Sequence, residues 1–302
     1  MKLASFDDWR IGVVLGEQVA DVTDAVPAGL ADMPGQRLNW LVEHWATAQS
    51  AVRRLAESAP HIPLDQVRLR AASPSPAHVF AAPANYRKHI GELGDRAVTD
   101  RRRTAREQGF FLKASGSVCG AGEAIALPRA ANRRFDHESE LAVIIGRHAR
   151  NVHRSEAMGC VFGYACLVDV TMRIEKGVAE EERSMRKSFS TFTPVGPWIV
   201  TADEVPDPHR LRNQLWIDGQ LRQDANTAEL IVGIPELIEL ISSVTALRPG
   251  DVIATGTPEG VGPFGAGARL RIAIESVGEM SLDVAWADAA PRSFDIQQGV
   301  PS

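Results

Sequence analysis

Short runs of β-branched and aromatic residues recur along most of this chain, separated by Gly, Pro and Asn. Residues 110–113, 142–145, 161–168, 198–200, 215–217, 252–254, 270–274 and 281–286 read as strands. Ahead of them, 1–6 and 11–15 also read as strands. A helix follows, on which Leu38, Leu41, Trp45, Ala48, Val52 and Leu55 fall at helical spacing. Further helices are predicted at 86–93, around 174–185 and at 234–243. The stretch Ala71-Ala72-Ser73-Pro74-Ser75-Pro76 acts as punctuation, because each proline biases its predecessor away from helix. The expected organisation is a small N-terminal α/β domain over 1–70 and a larger domain over 71–302. Many spaced strands with few helices predict an α+β, mainly β fold with a mixed sheet, and argue against a doubly wound nucleotide fold.

Two glutamates one residue apart, Glu138 and Glu140, lead into the apolar run Leu141-Ala142-Val143-Ile144-Ile145. Side chains alternate faces along a strand, so both carboxylates point the same way. A lone Glu-x-Glu is most simply a solvated acidic strand end. Here the second apolar run, Val161 to Val168, ends in another acid, Asp169. Three carboxylates gathered at strand ends repel one another unless a cation sits among them, and oxygen-only donors favour a hard ion such as Mg²⁺.

Three other segments carry chemistry. On a helix over 86–93, His89 and Glu92 share a face and can hydrogen-bond, a pairing suited to deprotonating water. Lys187, in Arg186-Lys187-Ser188-Phe189, could offset surplus charge at a three-carboxylate site or bind an anionic substrate group. The Gly-rich stretch from Pro249 to Gly262 offers backbone N–H groups and the Thr257 hydroxyl to a carboxylate, and lacks both the Walker and the dinucleotide spacing. Considered singly, these read as a surface ion pair, a surface lysine and a structural turn.

Composition narrows the class. The 44% hydrophobic and 24% charged fractions are those of an ordinary globular protein. A net charge of −5 gives no support to nucleic acid or an anionic membrane as partner. The start lacks a signal-peptide pattern, and no apolar run reaches the roughly 20 residues that span a bilayer. Cys119, Cys160 and Cys166 lack zinc spacing and an even count, so they read as reduced thiols in a cytoplasmic protein. Trp40 and Trp45 read as core or interface residues.

In order along the chain, the segments resemble the fumarylacetoacetate hydrolase family over roughly residues 75–286. The resemblance rests on Asn85-Tyr86 with His89 and Glu92, and on Phe111 with Lys113. It continues through Glu138 and Glu140, Asp169 and Arg173, Lys187 to Phe192, and Pro249 to Gly262. It implies a mixed β-roll core, a small N-terminal domain and a homodimer. It also implies Mg²⁺ or Mn²⁺ on Glu138, Glu140 and Asp169, a 2-oxo acid substrate, and Tyr86, Lys113, Arg173 and Thr257 as substrate-binding residues. His89, Glu92 and Lys187 become the catalytic residues, the first two activating water as one unit. The expected reaction is hydrolysis of a C–C bond in an acylpyruvate such as fumarylpyruvate, in aromatic catabolism. Oxaloacetate-type decarboxylation and 2-hydroxydienoate isomerisation use the same enolate chemistry and remain alternatives, as does a non-catalytic metal-stabilised binding protein. The chain departs from the family pattern at Val168 and Lys176, where Asn and Gln are common, and in the longer basic segment 93–109. That segment, with Arg101, Arg102, Arg103 and Arg106, is a solvated helix face or a lid bringing positive charge to the substrate's distal end.

Overall fold

The computed structural model describes residues 1–93, 103–129, 133–175 and 181–288. Among these, an 11-stranded sheet forms the backbone of the fold. At its centre Ser139–Ile145 lies antiparallel to both Val161–Val168 and Val252–Ala254. Every residue of Ser139–Ile145 is buried, because both faces of the sheet are covered. Leu141, Val143 and Ile145 pack into one apolar cluster with Cys166 and Val168. Ala142 and Ile144 pack into another with Ala165 and Leu167. The predicted alternation is therefore realised, and Glu140 continues the even-numbered face.

The sheet extends both ways from this centre. On one side Thr193–Thr201 pairs with Val161–Val168 and then with Lys2–Phe6, followed by Arg10–Leu15, Gln18–Asp21 and His61–Pro63. On the other, Val79–Ala81 runs parallel to Val252–Ala254 and carries Phe111–Lys113 at the edge. A 5-stranded sheet holds Gln220–Asn226, Arg212–Ile217, Arg269–Ile274, Gly278–Trp286 and Ile125–Leu127. A small 3-stranded sheet joins Phe135–His137 to Thr171–Met172 and Gly262–Phe264. The α+β, mainly β architecture predicted from the sequence is the one observed.

Helices sit where an apolar stripe demands cover. Ile234, Leu237, Ile238 and Ile241 are the buried face of Ile234–Val244. The N-terminal helix predicted as one piece is two, Arg37–Glu43 and Trp45–Ser58, because His44 leaves helical geometry at φ −102°, ψ 17°. Around 174–185 the described part is a single short helix, Arg183–Arg186, and Lys176 lies outside the described residues. No helix among the described residues is long and apolar enough to cross a membrane.

Candidate active site

The pairing of Ser139 with Val168 places the residues just before and just after those strands opposite each other. The Asp169 N–H donates to the Glu138 carbonyl at 2.8 Å, so the two acids leave the sheet at one point. Glu138, Glu140 and Asp169 are all buried, and one carboxylate oxygen from each lies within 4.8 Å of the others. Unit charges about 4 Å apart interact by about 4 kcal/mol at an effective dielectric near 20. Three such charges in a core therefore need cations around them.

The chain supplies three. Lys187 Nζ donates to Glu138 Oε2 at 2.8 Å, Asp169 Oδ2 at 2.6 Å and Thr171 Oγ1 at 2.6 Å, which uses all three of its hydrogens. Arg173 donates to Glu138 Oε1 at 2.8 Å and to Asp136 Oδ2 at 2.7 Å. Lys113 is enclosed, its ammonium on Asp169 Oδ1 and on the Phe192 carbonyl. The sequence reading put Lys113 and Arg173 on the substrate. In the structure their hydrogen bonds go to the acids and a carbonyl.

The three acids are not equivalent. Burial alone pushes the Glu138 carboxyl up, but Lys187 and Arg173 outweigh it and hold the group well below the usual range. Glu140 goes the other way. Burial, then Asp169 and Glu138, push it well above the ordinary value, opposed by Lys187 and by the Gly256 N–H that donates to its Oε2 at 2.6 Å. Gly256 has φ +101°, and a Cβ there would lie 2.6 Å from the Asn85 Cβ, so this close approach requires glycine. Asn85 in turn donates to the carbonyls of Thr255 and Val232 at 2.8 and 2.9 Å and ties the Gly-rich loop to the start of the His89 helix.

That helix, Arg87–Leu93, carries the predicted pair on one face, yet no hydrogen bond joins them. His89 Nδ1 and Glu92 Oε2 stand 3.8 Å apart. The competitor is local. Gly260 turns at φ +87°, and its N–H donates to both Glu92 oxygens at 2.8 and 2.9 Å. His89 Nδ1 is buried with no hydrogen-bond partner among the described residues. Burial holds the imidazole pKa below its ordinary value; Glu138 opposes this and Arg173 reinforces it. Tyr86 is buried beside Glu140, and both effects push its phenol upward, so it keeps its proton.

Thr257 is held by Gln223, a residue the sequence reading missed. Gln223 Nε2 donates to Thr257 Oγ1 at 2.9 Å and to the Pro258 carbonyl at 3.0 Å. Its Oε1 accepts from the Ser139 N–H at 3.0 Å. One buried amide thus links the strand bearing Glu140 to the loop bearing Thr257. Asp136, two residues before Glu138, was also passed over, although its spacing from the other two glutamates could have found it. It accepts from Arg134 at 2.6 Å as well as from Arg173. Of the basic segment, only the end from residue 103 is described beyond the helix. Arg106 makes a two-point contact with Glu236 at 2.8 and 2.9 Å, Arg103 donates to the Glu107 carbonyl, and 94–102 lie outside the described residues.

A mainly β core presenting three buried carboxylates, braced by cations and with a buried histidine whose electrostatics feel Glu138, defines a carboxylate-centred enzyme site of a kind suited to a divalent ion. Residues 78–285 match the model of the fumarylacetoacetate (FAA) hydrolase C-terminal family, and the chain belongs to the fumarylacetoacetate hydrolase family. It is 41% identical over 292 residues to a maleylpyruvate hydrolase of Aquipseudomonas alcaligenes, an alignment covering 94% of this chain and 99% of that one. A crystal structure of maleylpyruvate hydrolase from Sphingobium sp. SYK-6, in complex with manganese(II) ion and pyruvate, superposes with a TM-score of 0.83 at 41% identity. It covers 95% of this chain and 100% of that one. A 2-hydroxyhepta-2,4-diene-1,7-dioate isomerase from Mycobacterium marinum gives a TM-score of 0.64 at 32% identity, over 76% of this chain and 82% of that one.

Proposed function

We propose that this protein is a divalent-metal-dependent hydrolase cleaving a carbon–carbon bond in acylpyruvate-type 2-oxo acids formed in aromatic catabolism. The observation that carries the reading is the buried Glu138, Glu140 and Asp169 group. Likeness to two maleylpyruvate hydrolases, one of them holding manganese(II) and pyruvate, supports it. The donor set fits such an ion. Its oxygens are hard, and at Glu140 burial and two other carboxylates outweigh Lys187 and the Gly256 N–H. When bound on these three residues, Mg²⁺ or Mn²⁺ supplies Lewis-acid charge beside the oxygen that becomes an enolate.

The chain's own residues do the rest. Water adds to the C4 carbonyl, the C3–C4 bond breaks, and its electron pair passes to the departing pyruvate enolate. The proton lost by water ends on C3, giving pyruvate and the free acid. His89, buried and neutral, accepts that proton. Glu92, anchored by Gly260, sets the field at the imidazole without hydrogen-bonding to it. Lys187 faces the growing negative charge, while Lys113 and Arg173 keep Asp169 and Glu138 in register. Thr257 Oγ1 already accepts from Gln223 and has no acceptor of its own among the described residues, so its hydrogen is available to the substrate carboxylate.

Metal-loaded protein should be incubated separately with maleylpyruvate, acetylpyruvate and oxaloacetate, and pyruvate, released acid and CO₂ measured. Equal amounts of pyruvate and acid from an acylpyruvate are expected. Pyruvate and CO₂ from oxaloacetate, with acylpyruvates untouched, would replace hydrolysis by decarboxylation.

A further inference from the structure

Most cations near the site are committed to acids or carbonyls. Arg173 holds Asp136 and Glu138, and Arg186 is buried on the carbonyls of Glu181 and Met172. Arg183, one turn before Lys187, differs. It is half-buried, its guanidinium donates to the neutral Gln108 Oε1 at 3.2 Å, and no carboxylate pairs with it among the described residues. Burial pushes its pKa down, and Glu138, Asp169 and the adjacent Glu182 oppose this.

Its position is tied to the site through Phe111. The Arg183 Cζ lies 5.3 Å from that ring's centroid and Lys187 Nζ lies 5.4 Å from the same centroid. The two cations are therefore no farther apart than the sum of those distances, and Lys187 touches two of the three acids. A separation within that limit is compatible with a short carbon chain bearing an anion at each end, with the shared ring as an apolar neighbour. Charge points the same way. Formally, Asp136, Glu138, Glu140 and Asp169 balance Lys113, Arg134, Arg173 and Lys187, so a dication and Arg183 leave a positive surplus. A substrate ending in one carboxylate would meet only part of it.

We propose that Arg183 is the specificity residue for the far end of the substrate, binding a carboxylate at the tip of the acyl arm. The proposal rests on the acylpyruvate reading above. Arginine suits the task, because its planar fork binds a carboxylate through two charge-assisted hydrogen bonds and stacks on aromatic rings. It assigns to Arg183 the distal contact that the sequence suggested for Arg102, Arg103 and Arg106.

Two seven-carbon 2-oxo acids that lack a C4 carbonyl and cannot be hydrolysed test this apart from turnover. They are 2-oxopimelate, with a distal carboxylate, and 2-oxoheptanoate, without one. Calorimetric titration of the Mg²⁺-loaded protein should show 2-oxopimelate binding about 10- to 100-fold tighter, the worth of hydrogen bonds to a charged group. Arg183→Met should erase that preference and leave the affinity for 2-oxoheptanoate unchanged. Arg183→Gln carries the same expectation should the methionine variant not fold. An absent preference in the native protein, or one that survives substitution, overturns the role of Arg183. Failure to hydrolyse any acylpyruvate, with the preference intact, would overturn the reaction and leave Arg183 as a distal-carboxylate site.

Discussion

The two halves of the site are built differently. The acid group stands on the central strand and its neighbour, every member buried and each held from at least one side. The His89 half stands on a 7-residue helix, with Glu92 at 41% side-chain exposure and the His89–Glu92 approach too long for a hydrogen bond. Strand pairing fixes the acids through many ladder bonds at once, so their geometry does not depend on any one contact. The histidine half depends on a few local contacts, and one of them, the Gly260 amide, claims the carboxylate expected to serve His89. A preorganised charge cluster thus stands beside a histidine whose nearby carboxylate, Glu92, is only an electrostatic neighbour.

Substitutions can break that contrast. The largest effect is expected at the acids. Asp169→Asn and Glu140→Gln each replace an anionic oxygen donor by a neutral amide, which weakens ion binding, and losing a Lewis acid worth several kcal/mol lowers kcat by about 10³-fold or more. Metal content measured on the purified variants checks the cause. His89→Ala should cost about 10²–10⁴-fold in kcat, the usual worth of general base catalysis. In the native enzyme the acidic limb of kcat/KM should fall below the ordinary histidine value, since the burial-lowered pKa keeps the base neutral to lower pH. A limb that persists unchanged in His89→Ala would assign it to another group.

Glu92→Gln sharpens the comparison. The glutamine carbonyl can still accept from Gly260, and the lost charge is half-exposed, so about 1 kcal/mol, or roughly fivefold in rate, is at stake. A loss as large as that of His89→Ala would mean the two act as one unit after all. Gln223→Ala leaves the Ser139 N–H and the Thr257 loop without their shared partner. It should destabilise the fold by about 1–3 kcal/mol, read by urea denaturation, and raise KM more than it lowers kcat. The smallest effect belongs to Arg106→Ala. This breaks an exposed pair with Glu236, should cost less than about 1 kcal/mol, and should leave activity unaltered.

The strand half was legible because it obeys a short-range rule. Period-two alternation put Glu138 and Glu140 on one side, and an acid ending the next apolar run supplied the third member. The acid ending that run could be read as local; its position opposite Glu138 is a matter of register, which only the folded sheet displays. The helix rule also placed His89 and Glu92 on one face correctly. It could not show that a glycine amide 168 residues away would reach the carboxylate first. Gln223 left no trace at all, since it sits in Gln220–Asn226, a run that is mostly exposed and polar. The burial of Lys113 could not be read locally, because it depends on an edge strand, an acid and a carbonyl brought together from distant segments.

The proposed function requires that Glu138, Glu140 and Asp169 hold the ion on which acylpyruvate hydrolysis depends. Its most direct test is the pyruvate released from maleylpyruvate by chelator-stripped protein, before and after Mn²⁺ is added back. No pyruvate above the uncatalysed background is expected before addition, and one per maleylpyruvate consumed afterwards. Stripped protein that releases pyruvate at the full rate would contradict it.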